Sequence, residues 1–176
     1  MIIAISGLSG SGKNTLGELL AKELDYKLIC PTFKDLAKEQ GIPLMEFQKK
    51  AEKDPNIDKK FDELLKKRAT GNCIVTTWLG PWVVDANIRI NIFASLQTRA
   101  KRIAKRDNMS VEQAIKHIKD RDENNRKRYK KVYGIDIYNI DEFDACFNSG
   151  IYTPDKLLKI VLTIIKTKGG NRNGSD

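Results

Sequence analysis

Apolar positions follow two rhythms along this chain. Residues 2–6 (IIAIS) form a short unbroken apolar run stopped by glycine, and runs of the same kind recur at 26–30, 73–78, 88–94 and 145–148. Between them the spacing changes: Leu16, Leu19, Leu20 and Leu24 lie three or four apart, as do Leu157, Leu158, Val161, Leu162 and Ile165 near the C-terminus. Short apolar runs bounded by turn formers predict strands buried on both faces, and the other spacing predicts helices with one apolar stripe. Strands alternating with helices predict an α/β fold with a parallel sheet covered on both sides.

Breakers and caps place the boundaries. Helical segments are expected at 33–40, 43–53 and 57–69, separated by Gly41, Pro43 and the turn Asp54, Pro55, Asn56. This helical insertion, about 31–70, is longer than a crossover needs. Ser110 stands three residues ahead of Gln113, a capping-box spacing, and opens a heavily charged helix to Tyr133. Thr153 and Pro154 supply an N-cap and a first helical position for the last helix. Residues 1–168 read as one domain, and the polar stretch 169–176 as a disordered tail.

The chain has 176 residues, of which 31% are charged and 40% hydrophobic, and its formal charge is +9. That excess attracts polyanions, nucleotides or nucleic acid alike. No apolar run approaches the ~18 residues of a membrane span, and the apolar start lacks the basic flank of a signal peptide, so a cytoplasmic protein with no membrane role is expected. Cys30, Cys73 and Cys146 are odd in number, far apart, and in or beside apolar runs, which predicts buried free thiols.

Gly7, Leu8, Ser9, Gly10, Ser11, Gly12 and Lys13 match the first seven positions of the G-x-x-x-x-G-K-[ST] motif between a predicted strand and a predicted helix. Glycines let backbone N–H groups converge on an anion, the helix N-terminus adds positive potential, and Lys13 brings a point charge to the β and γ phosphates. Asn14 stands where the motif has Ser or Thr, with Thr15 next. Contact with Mg²⁺ is therefore expected through water or through Thr15.

The sequence resembles the nucleoside monophosphate kinases, most closely the archaeal-type cytidylate kinases. The likeness rests on the loop and on segments 33–39 (FKDLAKE), 51–58 (AEKDPNID), 99–106 (RAKRIAKR), 128–137 (RYKKVYGIDI), 147–150 (FNSG) and the Thr153, Pro154 pair. The resemblance implies a P-loop NTPase fold with five parallel strands in the order 2-3-1-4-5, a monophosphate-binding helical insertion, and a lid at about 107–137. It implies ATP with Mg²⁺ as donor and a nucleoside monophosphate as acceptor. Arg102 would lie against the adenine and Arg106 toward phosphate. Arg121 and Arg128, the ends of an R-D-x-x-D-x-x-R-like segment, would bind the acceptor phosphate or the cytosine side, with Lys34 also on the acceptor. A closing arginine-rich segment suits in-line phosphoryl transfer, which needs positive charge and exclusion of water.

Departures fall on the acceptor side. Thr76, Thr77 and Trp78 replace a Glu-Gly-Arg-like segment, Asn125 replaces an aspartate, and Lys34 replaces an arginine. Trp78 either belongs to the core or stacks on a base in the acceptor pocket; Trp82 reads as core. His117, the only histidine, is expected to be exposed, and Asp136 and Asp141 to cap turns or hold the lid. A kinase of the same fold with another acceptor is the second reading, and a non-catalytic nucleotide- or RNA-binding protein the third. Nucleic acid is not the favoured partner, since no aromatic-interleaved motif accompanies the charge. A monomer or small homo-oligomer is expected.

Overall fold

The computed structural model describes residues 1–31, 36–38, 41–43, 46–47, 50 and 54–170. These residues form a five-stranded sheet of β1 (Ile2–Ser6), β2 (Lys27–Ile29), β3 (Cys73–Thr76), β4 (Ile88–Phe93) and β5 (Ala145–Asn148). All pairings are parallel, in the order β2-β3-β1-β4-β5. The helices are α1 (Lys13–Leu24), α2 (Pro55–Arg68), α3 (Gly80–Val83), α4 (Leu96–Asp107), α5 (Val111–Tyr133) and α6 (Pro154–Gly170). Of the segments expected helical at 33–40 and 43–53, residues 36–38, 46–47 and 50 are helical, Pro43 is not, and the rest lie outside the described residues. Most of the tail 169–176 also lies outside them, while α6 itself runs past Lys166 to Gly170.

Strand alternation divides the core into two layers. Ile3, Ile5, Ile74, Ile88, Ile90 and Ile92 pack under Leu16 and Leu20 of α1 and Leu157, Val161 and Ile165 of α6. The opposite positions Ala4, Ile29, Cys73 and Val75 meet Leu65, Ala69, Val84 and Ala86. Each fully buried large aliphatic side chain is worth about 1.5–3 kcal/mol. A third cluster, Ala100, Ile103 and Ala104 with Ala114 and Ile118, binds α4 to α5. Ser110 and Gln113 make the reciprocal capping-box bonds that start α5, at 3.1 and 2.9 Å.

Two expectations need correction. The third strand ends at Thr76, not Trp78, because the chain turns there into α3, with Ser6 Oγ donating to Trp78 O at 2.7 Å. All three cysteines are free, but only Cys73 is buried; Cys30 is half-buried and Cys146 is exposed. Cys146 lies on the edge strand β5, on the face opposite Phe147, and it is Phe147 that packs against the α1/α6 core. Among the described residues no helix is long and apolar enough to cross a membrane.

α1 lies so close to β3 that a Cβ at Gly17 would sit 2.2 Å from Cγ2 of the buried Thr76. Gly17→Ala should therefore destabilise the protein by roughly 1–3 kcal/mol of overpacking, and adding Thr76→Ser, which deletes that methyl, should recover most of the loss. Urea unfolding of the single and double variants checks this; equal stability of Gly17→Ala and the parent would contradict the packing.

Candidate functional site

Residues 7–13 join the C-terminal end of β1 to the start of α1. Gly10 takes φ 78°, and a Cβ there would lie 2.9 Å from the Arg99 carbonyl oxygen; at Gly7 it would lie 2.3 Å from that of Ile92. The loop therefore folds tightly against β4 and α4 only because those positions lack side chains. Gly12, at φ 93°, delivers the chain into α1, whose first turn has neither a side-chain cap nor an acidic residue. The positive end of the helix is left for an external anion. Asn14 and Thr15 are exposed on that first turn, and Ser11 Oγ is buried without a hydrogen-bond partner among the described residues.

Positive charge gathers over this loop. Desolvation lowers the Lys13 pKa to about 8, with Arg121 and then Arg106 adding to the effect and Cys30 and Asp122 opposing it. Arg121 is likewise lowered, first by desolvation and also by Arg106 and Arg128. Its guanidinium carbon lies 5.9 Å from the Trp78 ring centroid. Arg106, on α4, forms a two-pronged pair with Asp107, both bonds 2.7 Å. Arg128 Nη2 donates to Asn125 Oδ1 at 3.0 Å and to Tyr129 Oη at 3.3 Å, and Nε stands 3.4 Å from Asp58 Oδ2.

Of the residues expected at the site, Lys13, Arg106, Arg121, Trp78 and Arg128 thus form one electrostatically connected set. Arg102 lies apart from it: Nη1 donates to Gly10 O (3.1 Å), Ser11 O (3.3 Å) and Ser149 Oγ (2.8 Å), and Nη2 to Ser149 O (2.7 Å). Lys34 lies outside the described residues. Trp78 is half-buried, 6.4 Å from Tyr129, and with Gly7, Leu8, Arg99 and Tyr138 lines a cavity of about 80 Å³. Trp82 packs edge-on against Phe143 at 5.2 Å. His117 is exposed. Asp136 pairs with Arg126 and accepts from the Tyr138 amide, so it does hold the turn after α5; the Asp141 amide donates to Asn139.

Several buried polar residues had not been singled out. Arg99 and Asp122, both almost fully buried, form an ion pair of 2.7 Å, and Arg99 Nη1 also donates to Ser9 O at 3.2 Å. Asp58 and Asp62 face α5 from α2, where Tyr133 Oη donates to Asp62. Their spacing carried a signal: Asp58, Asp62 and Leu65 share one stripe of α2, and Ala114, Ile118 and Asp122 one stripe of α5. An acidic residue continuing an apolar stripe marks a buried carboxylate with a partner elsewhere.

The model of the family described as cytidylate kinase-like matches residues 2–151. The chain belongs to that family. A cytidylate kinase of Sulfurisphaera tokodaii is 40% identical over 167 residues, covering 92% of this chain and 93% of the relative. One of Pyrococcus horikoshii is 37% identical, covering 94% and 88%. Among solved structures, an Acinetobacter baumannii shikimate kinase aligns with TM-score 0.64 at 14% identity over 94% of this chain and 93% of that one. A deoxyadenosine kinase from M. mycoides aligns with TM-score 0.55 at 17% identity over 94% of this chain and 100% of that one. At those identities the structures speak for the P-loop kinase fold alone, which this family member shares with them.

Burial raises the Asp62 pKa from 3.8 to about 6, opposed by the Tyr133 bond and Lys66 and reinforced by Asp58 and Glu63. A carboxyl that holds its proton more tightly when folded loses stability as pH rises from about 4 to about 6. Asp62→Asn cannot ionise, so urea unfolding should show a smaller loss over that interval than in the parent. Some slope remains, because burial also raises Asp58 and Asp122. Parallel profiles would contradict the assignment.

Proposed function

We propose that this nucleoside monophosphate kinase transfers the γ-phosphoryl group of ATP to CMP, with dCMP and UMP as weaker acceptors. The observation that carries the reading is the gathering of Lys13, Arg106 and Arg121 at an uncapped phosphate loop, with Arg128 close enough to Arg121 to be felt by it. Burial lowers the pKa of Lys13 and of Arg121, and neighbouring arginines push both further down. Two phosphorylated ligands would relieve that repulsion. The names of the curated relatives supply the preference for cytidylate as acceptor.

In this reading the loop amides and Lys13 hold the β and γ phosphates, and Arg106 reaches the donor from α4. Arg121, Arg128 and Lys34 hold the acceptor, with Trp78 beside it. An oxygen of the acceptor phosphate attacks γ-phosphorus as the bond to the β-phosphate oxygen breaks, and ADP leaves carrying that electron pair. The acceptor is already anionic, so the step needs positioning and charge more than a general base. Residues 107–137 act as the lid and 31–70 as the acceptor-side insertion.

Mg²⁺ would arrive with the triphosphate and neutralise charge on its oxygens. A small hard cation held by the substrate phosphates keeps several waters, and hydroxyl and amide oxygens can meet those waters. Thr76 Oγ1 and Thr77 Oγ1, buried and without hydrogen-bond partners among the described residues, fit a hydrated ion, as do the exposed Asn14 and Thr15. Among the described residues no His, Cys, Asp or Glu cluster offers an alternative cage.

One observation favours a different acceptor on the same fold: Arg128 is paired with the neutral Asn125 where the family has an aspartate. A coupled assay with ATP–Mg²⁺ and a panel of monophosphates separates the readings. CMP should give the highest kcat/KM, and Lys13→Ala should lower kcat on the order of 10²-fold or more. Absence of turnover with every pyrimidine monophosphate would overturn the proposal. ATP binding without transfer, joined to steeply salt-dependent RNA binding, would favour a non-catalytic protein.

A further inference from the structure

A cradle of backbone amides faces an anion only while the carbonyls of the same peptides face away from it. A loop with glycine at positions 7, 10 and 12 has many other conformations, and one inward carbonyl would replace a donor with a repelling oxygen. The carbonyls of three successive residues are held from outside. Ser9 O accepts from Arg99 Nη1 at 3.2 Å. Gly10 O accepts from Arg102 Nη1 at 3.1 Å. Ser11 O accepts from Arg102 Nη1 at 3.3 Å and from Ser149 Oγ at 2.5 Å. Arg102 is itself located by its bonds to both oxygens of Ser149.

The two guanidinium groups stand three residues apart, on one face of α4. That helix is fixed beneath them by Ala100, Ile103 and Ala104, and the Arg99 end by its buried pair with Asp122. Charge-assisted bonds to carbonyls are roughly twice as strong as neutral ones. Both nitrogen ends of Arg102 are committed to backbone and Ser149, an arrangement that orders the loop before any ligand arrives and so reduces the ordering cost of binding.

We propose that Arg102, with Arg99 and Ser149, is a positioning residue of the phosphate loop: through the edge of its guanidinium it holds the loop carbonyls outward so that the amides face the triphosphate. This rests on the donor half of the reading above. Arg102 is exposed and can be exchanged without opening the core.

Inorganic tripolyphosphate, which has no base, separates this role from a contact with adenine. Affinities for ATP and for tripolyphosphate, measured by displacement of a fluorescent ATP analogue, are compared in the parent, Arg102→Ala, Arg102→Lys and Ser149→Ala, with circular dichroism confirming the fold. Arg102→Ala should weaken both ligands, tripolyphosphate by about tenfold, one charge-assisted bond's worth, and should raise KM for ATP while leaving KM for the acceptor unchanged. Ser149→Ala, which leaves Arg102 in place, should weaken both by a smaller common factor. Arg102→Lys, a point charge without the planar fork, should fall short of full recovery for both.

Loss of ATP affinity with tripolyphosphate affinity intact would overturn the inference, as would unchanged affinity for both. A parent protein that binds neither ligand would overturn the reading of the donor site and this inference together. Binding of both by the parent, with only ATP affected in the variants, would overturn the inference alone.

Discussion

The structure depends on one backbone constraint: residues 7–13 must fold back tightly at the tip of the central strand, where the Ser11 N–H closes a turn onto Leu8 O. β1 lies between β3 and β4, so the loop leaves the sheet where neighbouring connections depart to opposite sides, the crevice in which open α/β sheets bind ligands. The isoleucine-rich core under α1 and α6 fixes the strand on one face of the sheet. The glycines then let the loop fold onto β4 and α4 at distances that a Cβ would forbid.

Charge is arranged around that constraint unequally. Where a cation supports structure it is paired and buried, as Arg99 is with Asp122. Such a pair contributes little net stability compared with an apolar substitute, yet losing one member costs about 3–5 kcal/mol, so it ties α4, α5 and the loop into one unit. At the loop, burial strips Lys13 of solvent without a carboxylate paired to it among the described residues, and with Arg121 beside it the Lys13 pKa falls to about 8. A bound phosphate would draw its pKa back up, making the ligand the missing part of the charge balance.

Much of this was legible in the chain because local rules agree with the fold. The unbroken apolar run of β1, the glycine loop and the leucine stripe of α1 lie within the first 24 residues, and the capping box marks the start of α5. Strand order is different: periodicity says only that strands alternate with helices, and the order 2-3-1-4-5 came from family resemblance. Side-chain destinations were least legible. Arg99 finds Asp122 across 23 residues, and Arg128 approaches Asp58 across 70, distances over which no local pattern operates. A charged run such as 99–106 cannot reveal that one arginine is buried while Arg106 is solvated. Nor could it show that the edge of the Arg102 guanidinium rests on the loop carbonyls.

The central claim is that one set of cations receives two phosphorylated ligands in line. The most direct measurement is calorimetric binding of a bisubstrate analogue, adenosine and cytidine joined through five phosphates, compared with ATP and CMP alone. The account predicts a single site whose affinity exceeds that for either nucleotide by orders of magnitude, and which weakens sharply in Arg121→Ala. Binding no tighter than that of ATP, or unaffected by loss of Arg121, would contradict it.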